Sequence, residues 1–90
     1  MTVKLILDGS TMESKAIVHD FLQEGLKLPA YYGRNLDALF DLLASRGEET
    51  EIVVTQWEAL TVHLGHYAAA LMDTLYDAAK ENPKLTIKVE

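Results

Sequence analysis

The sequence predicts an α/β fold: a three-stranded parallel sheet with about four helices packed on it, in the order β-αα-β-αα-β. Three observations carry that prediction. Short runs rich in branched aliphatic residues stand at 3–7, 50–55 and 85–89. The stretches between them show helical periodicity and are long enough for crossovers, which parallel pairing requires. The chain of 90 residues contains no internal repeat, low-complexity segment or linker, so residues 1–90 read as one domain. A chain of this size buries about 60% of the surface it exposes when unfolded, enough for one modest core.

The elements follow in order. Val3–Leu7 is the first strand, ended by the Asp8-Gly9 turn signal. Ser10-Thr11-Met12-Glu13 fits a capping box, with Ser14 as a rival N-cap. A helix then runs to about Glu24, with Ile17, Val18, Phe21 and Leu22 on its apolar face and Gly25 as its C-terminal glycine. Leu26–Arg34 is an irregular loop holding Pro29 and Gly33. Asn35 is the N-cap of a second helix over about Leu36–Ser45, and Gly47 breaks it. Thr50–Thr55 reads as a buried strand. A third helix covers about Gln56–Leu64 and stops at Gly65. A fourth covers about Tyr67–Glu81 and is closed by Pro83, and Leu85–Val89 alternates as the last strand.

Composition narrows the function. There are no cysteines, hence no disulfide frame and no thiolate site, which fits the cytoplasm. The N-terminal apolar stretch is too short for an export signal, and no apolar run approaches the roughly 20 residues that cross a membrane. The net charge of −6 is unevenly spread: residues 35–79 hold eight acids against one base, Arg46, while residues 1–34 are balanced. Such a field repels nucleic acid and attracts basic proteins. The expected partner is therefore a basic protein, with no direct nucleic acid, no membrane and no cofactor.

The second helix carries the most pointed pattern. On a wheel of 100° per residue, Leu36, Leu39 and Leu43 cluster as core, Asp37 and Asp41 share another side, and Phe40 lies at the border. Asp37 in the first turn suits the helix dipole. Asp41 does not: it is mid-helix, of poor helix propensity, and repels Asp37 by roughly 0.2–0.5 kcal/mol. Exposed positions often tolerate such a pair, but the flanking Tyr31-Tyr32-Gly33 loop points to use. One tyrosine of the pair is expected to pack inward and the other to stand out as an interface anchor. Gly33 is expected to take a positive φ or to permit a close approach. In the fourth helix Ala68, Leu71, Leu75 and Ala79 form the apolar stripe, with Asp73, Asp77 and Glu81 almost opposite and Lys80 beside them. That second acidic stripe reads either as a solvated face or as part of one negative patch.

Positions 28–41, Leu-Pro-Ala-Tyr-Tyr-Gly-Arg-Asn-Leu-Asp-Ala-Leu-Phe-Asp, resemble the central motif of the barstar family, small intracellular inhibitors of secreted bacterial ribonucleases. The likeness covers nearly the whole chain: the opening strand and its glycine turn, the helix before the motif, the strand at 50–55 followed by Trp57, and the closing Leu-Thr-Ile strand. It implies the same sheet and helices, and a function, plugging the active site of a basic, extracellular, barnase-type ribonuclease. By that resemblance Tyr31, Gly33, Asn35, Leu36, Asp37 and Asp41 would be contact residues. Asp41 would stand in for an RNA phosphate among Arg, Lys and His side chains, and Asp77 and Glu81 would add a peripheral contribution.

Phe40, Ala44 and Arg46 occupy further positions of that partner-binding surface where the family carries tryptophan, threonine and tryptophan. Arg34 stands where it has glutamate. Two cations thus enter near the site, which should weaken pairing with a strongly basic enzyme or match an acid on a different one.

Two other readings compete. Asp37 and Asp41 could act as an acid/base pair or hold a metal, but the motif contains no partner His or Cys and the chain no Gly-rich phosphate loop. His63 and His66, at i, i+3, could bind a metal weakly. Such histidines, and His19 with them, are more often ordinary surface or half-buried residues. The other alternative is an acidic interaction or immunity module for a different basic partner, non-inhibitory or directed against a non-ribonuclease toxin.

Overall fold

A computed structural model describes residues 2–90. The elements are β1 (Val3–Asp8), a 3-10 turn (Gly9–Thr11), α1 (Lys15–Leu26), α2 (Leu36–Ala44), β2 (Thr50–Thr55), α3 (Trp57–Leu64), α4 (His66–Glu81) and β3 (Leu85–Val89). The three strands form one sheet in the order β1-β2-β3, with both pairings parallel. The predicted fold class and element order therefore hold. No described helix is long and apolar enough to cross a membrane.

All the helices pack on one face of the sheet. Leu7, Ile52, Val54 and Leu85 point into a core shared with Val18 and Leu22 of α1, Leu39 and Leu43 of α2, Leu60 of α3, and Ala68, Leu71, Met72, Leu75 and Ala78 of α4. The other face carries Lys4, Ile6, Glu51 and Lys88, alternating with the core positions. A parallel sheet is usually covered on both faces. Here the uncovered one is dressed with charge: Lys88 Nζ pairs with Glu51 at 2.8 Å. Central Val53 is buried there, flanked in register by Ile6 and Lys88.

Several local expectations shift. The Ser10–Glu13 capping box does not form, because Gly9–Thr11 closes as a 3-10 turn capped by Asp8. The rival cap is used instead: Ser14 Oγ accepts from Ile17 N at 3.2 Å, and α1 starts at Lys15. Gly25 does not end α1. The helix runs one residue further, and Lys27 takes the left-handed cap at φ 54°. Gly25 serves packing, since a Cβ there would lie 2.5 Å from Leu5 Cδ1. Ile17 and Phe21, expected on the buried face of α1, are exposed and half-buried; Val18, Leu22 and Leu26 do the burying. In α4 the buried stripe includes Met72 and Ala78, and Ala79 is only half-buried.

Gly9 marks the tightest approach. Its missing Cβ would lie 2.3 Å from the Gln56 carbonyl oxygen and 2.8 Å from Leu60 Cβ, where β1 ends against the start of α3. Gly9→Ala forces backbone against backbone and is expected to lower stability by about 1–3 kcal/mol or more, read as a shifted denaturation midpoint. A midpoint unchanged from wild type would show that this corner yields.

Candidate functional site

The site is built around α2, a short helix fastened at both ends. At its start Asn35 Oδ1 accepts from Ala38 N at 2.8 Å, as the N-cap reading requires. At its end the last carbonyls would lack partners. The buried amide of Asn82, arriving from the end of α4, donates to Leu43 O and Arg46 O, both at 2.9 Å. Leu39 and Leu43 lie wholly buried, and α2 packs along α4. The expected core residue Leu36 is only half-buried, at the edge of the core, as is Phe40.

That framework leaves Asp37 and Asp41 exposed on one side of a rigid rod, and neither forms an ion pair among the described residues. Ala44, at the last turn, is half-buried. Asp77 and Glu81 are exposed on the adjoining α4, Asp77 standing 3.9 Å from Lys80. Glu81 directly precedes Asn82, so it sits beside the C-terminal end of α2. Asp73, one turn earlier, lines a groove with Trp57, Tyr76 and Val89. Asp73 also shares a neighbouring groove with Asp77 and Lys80, so the acids of α4 follow one another along the helix.

The loop before α2 is equally ordered. Tyr32 N donates to Pro29 O at 2.9 Å. The two tyrosines part as expected, Tyr31 at 82% exposure and Tyr32 at 5%. Gly33 has no positive φ; that conformation falls on Arg34, at φ 56°. Gly33 instead allows a close approach, with Asn35 Nδ2 at 3.0 Å and Ala38 Cβ at 3.3 Å from where a Cβ would stand.

Behind the loop lies His19, which the sequence offers as an ordinary surface or half-buried residue and the structure buries at 2% exposure. Its Nδ1 is 2.5 Å from the Tyr32 hydroxyl and its Nε2 is 2.6 Å from the Tyr67 hydroxyl. A neutral imidazole has one N–H and one lone pair, so one hydroxyl donates to the ring and the other accepts from it. Burial holds the imidazole below the usual histidine range, aided by nearby Arg34 and opposed by Asp20. Burial also pushes the Tyr32 hydroxyl up to about 12 and raises Tyr67. This relay fixes the loop to α1 and α4. Its only sequence signal is that the residues are a histidine and two tyrosines, with no spacing that links them.

The two arginines turn back onto their own chain. Arg34 pairs with Asp20 and donates to Ala16 O at 3.2 Å. Arg46 donates from Nε to Thr50 Oγ1 at 2.7 Å and from Nη1 to Leu26 O at 3.0 Å, which makes it a brace between the end of α1 and β2. The His63–His66 pair does not share a helix face, because Gly65 separates α3 from α4. His63 Nδ1 instead lies 3.2 Å from Gly9 O. Among the described residues no three His, Asp or Glu side chains gather where a metal ion could be held.

Two comparisons bear on this arrangement. The sequence profile described as Barstar (barnase inhibitor) matches residues 2–90. A protein of Bacillus subtilis (strain 168), named "Putative ribonuclease inhibitor YrdF", is 37% identical over 79 residues, covering 87% of each chain.

Proposed function

The chain belongs to the barstar family, and from that premise we propose that it inhibits a ribonuclease. The enzyme is basic and of the barnase type, made for export, and the inhibitor meets it in the cytoplasm. Inhibition is by occlusion, with no cofactor and no reaction catalysed by the inhibitor. The observation that carries this reading is the placement of Asp37 and Asp41: exposed, without counter-ions among the described residues, on a helix held at one end by Asn35 and at the other by Asn82.

A ribonuclease active site gathers cations to hold the phosphates of RNA. A carboxylate presented on a rigid rod accepts the same charge-assisted hydrogen bonds. Because α2 is already ordered, little conformational entropy is lost when it docks. Asp41 takes the phosphate position, Asp37 and Asn35 flank it, and exposed Tyr31 adds a rigid aromatic contact near Gly33 and Leu36. Phe40 and Ala44 complete the surface, and Asp77 and Glu81 attract cations at its edge. Arg46, whose guanidinium bonds to Thr50 and Leu26, braces the end of α1 against β2 beside that surface.

The test is a titration of a barnase-type ribonuclease with this protein while RNA cleavage is followed. Stoichiometric loss of cleavage supports the reading, and undiminished cleavage at excess inhibitor overturns it. The association rate should also fall several-fold between low and high salt, because the field of the acidic segment is screened within about 10 Å at 0.1 M. Stopped-flow rates independent of salt would remove electrostatic steering from the account.

A further inference from the structure

A groove of about 640 Å³ opens directly beside the acidic surface, lined by Lys15, His19, Arg34, Asn35, Asp37 and Tyr67 among others. Asn35 and Asp37 belong both to this groove and to the proposed contact surface, so a partner covering one meets the other. The groove contrasts with its neighbour in charge, since it brings two cations, Lys15 and Arg34, to the edge of an acidic face.

The cations are not equivalent. Arg34 is tied down by Asp20 and the Ala16 carbonyl. Lys15 has no carboxylate partner among the described residues. As the first residue of α1 it sets a positive charge against the positive end of the helix dipole, an unfavourable term of about 0.3–1 kcal/mol, and that first turn contains no acid to offset it. Its ammonium lies 4.6 Å from the centroid of the Tyr67 ring, a contact that positions the side chain along the groove wall. That contact, worth about 0.5–1 kcal/mol, offsets the dipole term, and it leaves the ammonium without a carboxylate at the edge of the acidic surface.

We infer that Lys15 is a specificity residue, presenting its ammonium to a carboxylate that the bound ribonuclease carries beside its basic active site. This rests on the inhibitor reading and adds a chemical requirement to it. An enzyme with a basic rim at this place is repelled, and one with an Asp or Glu there is paired. The partner is thereby defined as a ribonuclease whose cationic centre is bordered by at least one acid.

The experiment takes, from a panel of barnase-type ribonucleases, the enzyme inhibited most tightly. It measures inhibition by Lys15→Ala, Lys15→Glu and Asp41→Ala, and crosses Lys15→Ala with alanine at each rim Asp and Glu of the enzyme. Lys15→Glu is expected to weaken inhibition about tenfold or more. Removal of one particular enzyme acid is expected to abolish the effect of Lys15→Ala. Thermal melting of Lys15→Glu should change little, because the lost Tyr67 contact and the gained dipole term are of similar size, which separates lost binding from lost folding. Asp41-dependent inhibition that ignores or gains from Lys15→Glu, or cycles that are all additive, would overturn the inference alone. If no enzyme of the panel is inhibited in an Asp41-dependent way, the inhibitor reading falls and takes this one with it.

Discussion

Asp41→Ala is expected to weaken inhibition of a barnase-type ribonuclease by about 2–5 kcal/mol or more, roughly thirtyfold to several thousandfold in Kd. Most of that loss comes from the enzyme's side. Once α2 fills the active site, the cations that would have held an RNA phosphate are cut off from water, and removing the carboxylate leaves them buried and unpaired. The role of Asp41 is carried over from the family by motif position; the structure adds that the substitution should be clean. The side chain is exposed and mid-helix, with no ion pair among the described residues. Alanine is the better helix former and removes the repulsion from Asp37, so the melting temperature should hold or rise slightly. Asp73→Ala is the matched control: an acid on the same surface-charge scale, but facing the groove at Trp57 and Val89, it should change Kd little. Equal Kd values for Asp41→Ala and wild type, measured by inhibition titration, would remove the phosphate-mimic role.

His19→Leu is expected to lower stability by about 2–4 kcal/mol, since it leaves the hydroxyls of Tyr32 and Tyr67 without their buried partner. It should also change how stability depends on pH. The folded protein holds this imidazole below the usual histidine range, while the unfolded chain takes up a proton at its ordinary value near 6.5. Below that value the unfolded state therefore binds more protons than the native state. Stability from this site is fully present above pH 6.5 and is lost as pH falls from there through the lowered native value. Burial between Tyr32 of the loop and Tyr67 of α4 sets the direction, Arg34 adds to it and Asp20 opposes it. Urea midpoints at pH 7.5, 6.0 and 5.0 should decline for wild type and decline less for His19→Leu. Parallel curves for the two proteins would assign the pH dependence to other groups. An imidazolium has two N–H groups and no lone pair, so on protonation the hydroxyl that donated must rotate its proton away and accept instead.

Much of this molecule was legible without coordinates because the signals are local. Period-2 and period-3.6 patterns, the cap at Asn35, the breaks at Gly47 and Gly65, and the helical crossovers each depend on residues a few positions apart, and they determined the elements, their parallel order and the exposed pair Asp37–Asp41. The motif at 28–41 determined the family. Where competing local signals were close in strength, packing chose between them: Ser14 over Ser10 as the cap of α1, Lys27 over Gly25 as its end, Arg34 over Gly33 for the left-handed conformation. What only the tertiary structure decided are contacts between residues far apart in sequence. His19 meets Tyr67 across 48 positions, Asn82 reaches back 36 to close α2, and Arg46 folds inward onto Leu26, 20 residues away. Hydrogen-bonding side chains carry no periodicity that names a distant partner. Whether a histidine is surface or keystone, or an arginine is a binding charge or an internal brace, is settled when the sheet and helices bring the partners together, because a buried polar group must find its bond there.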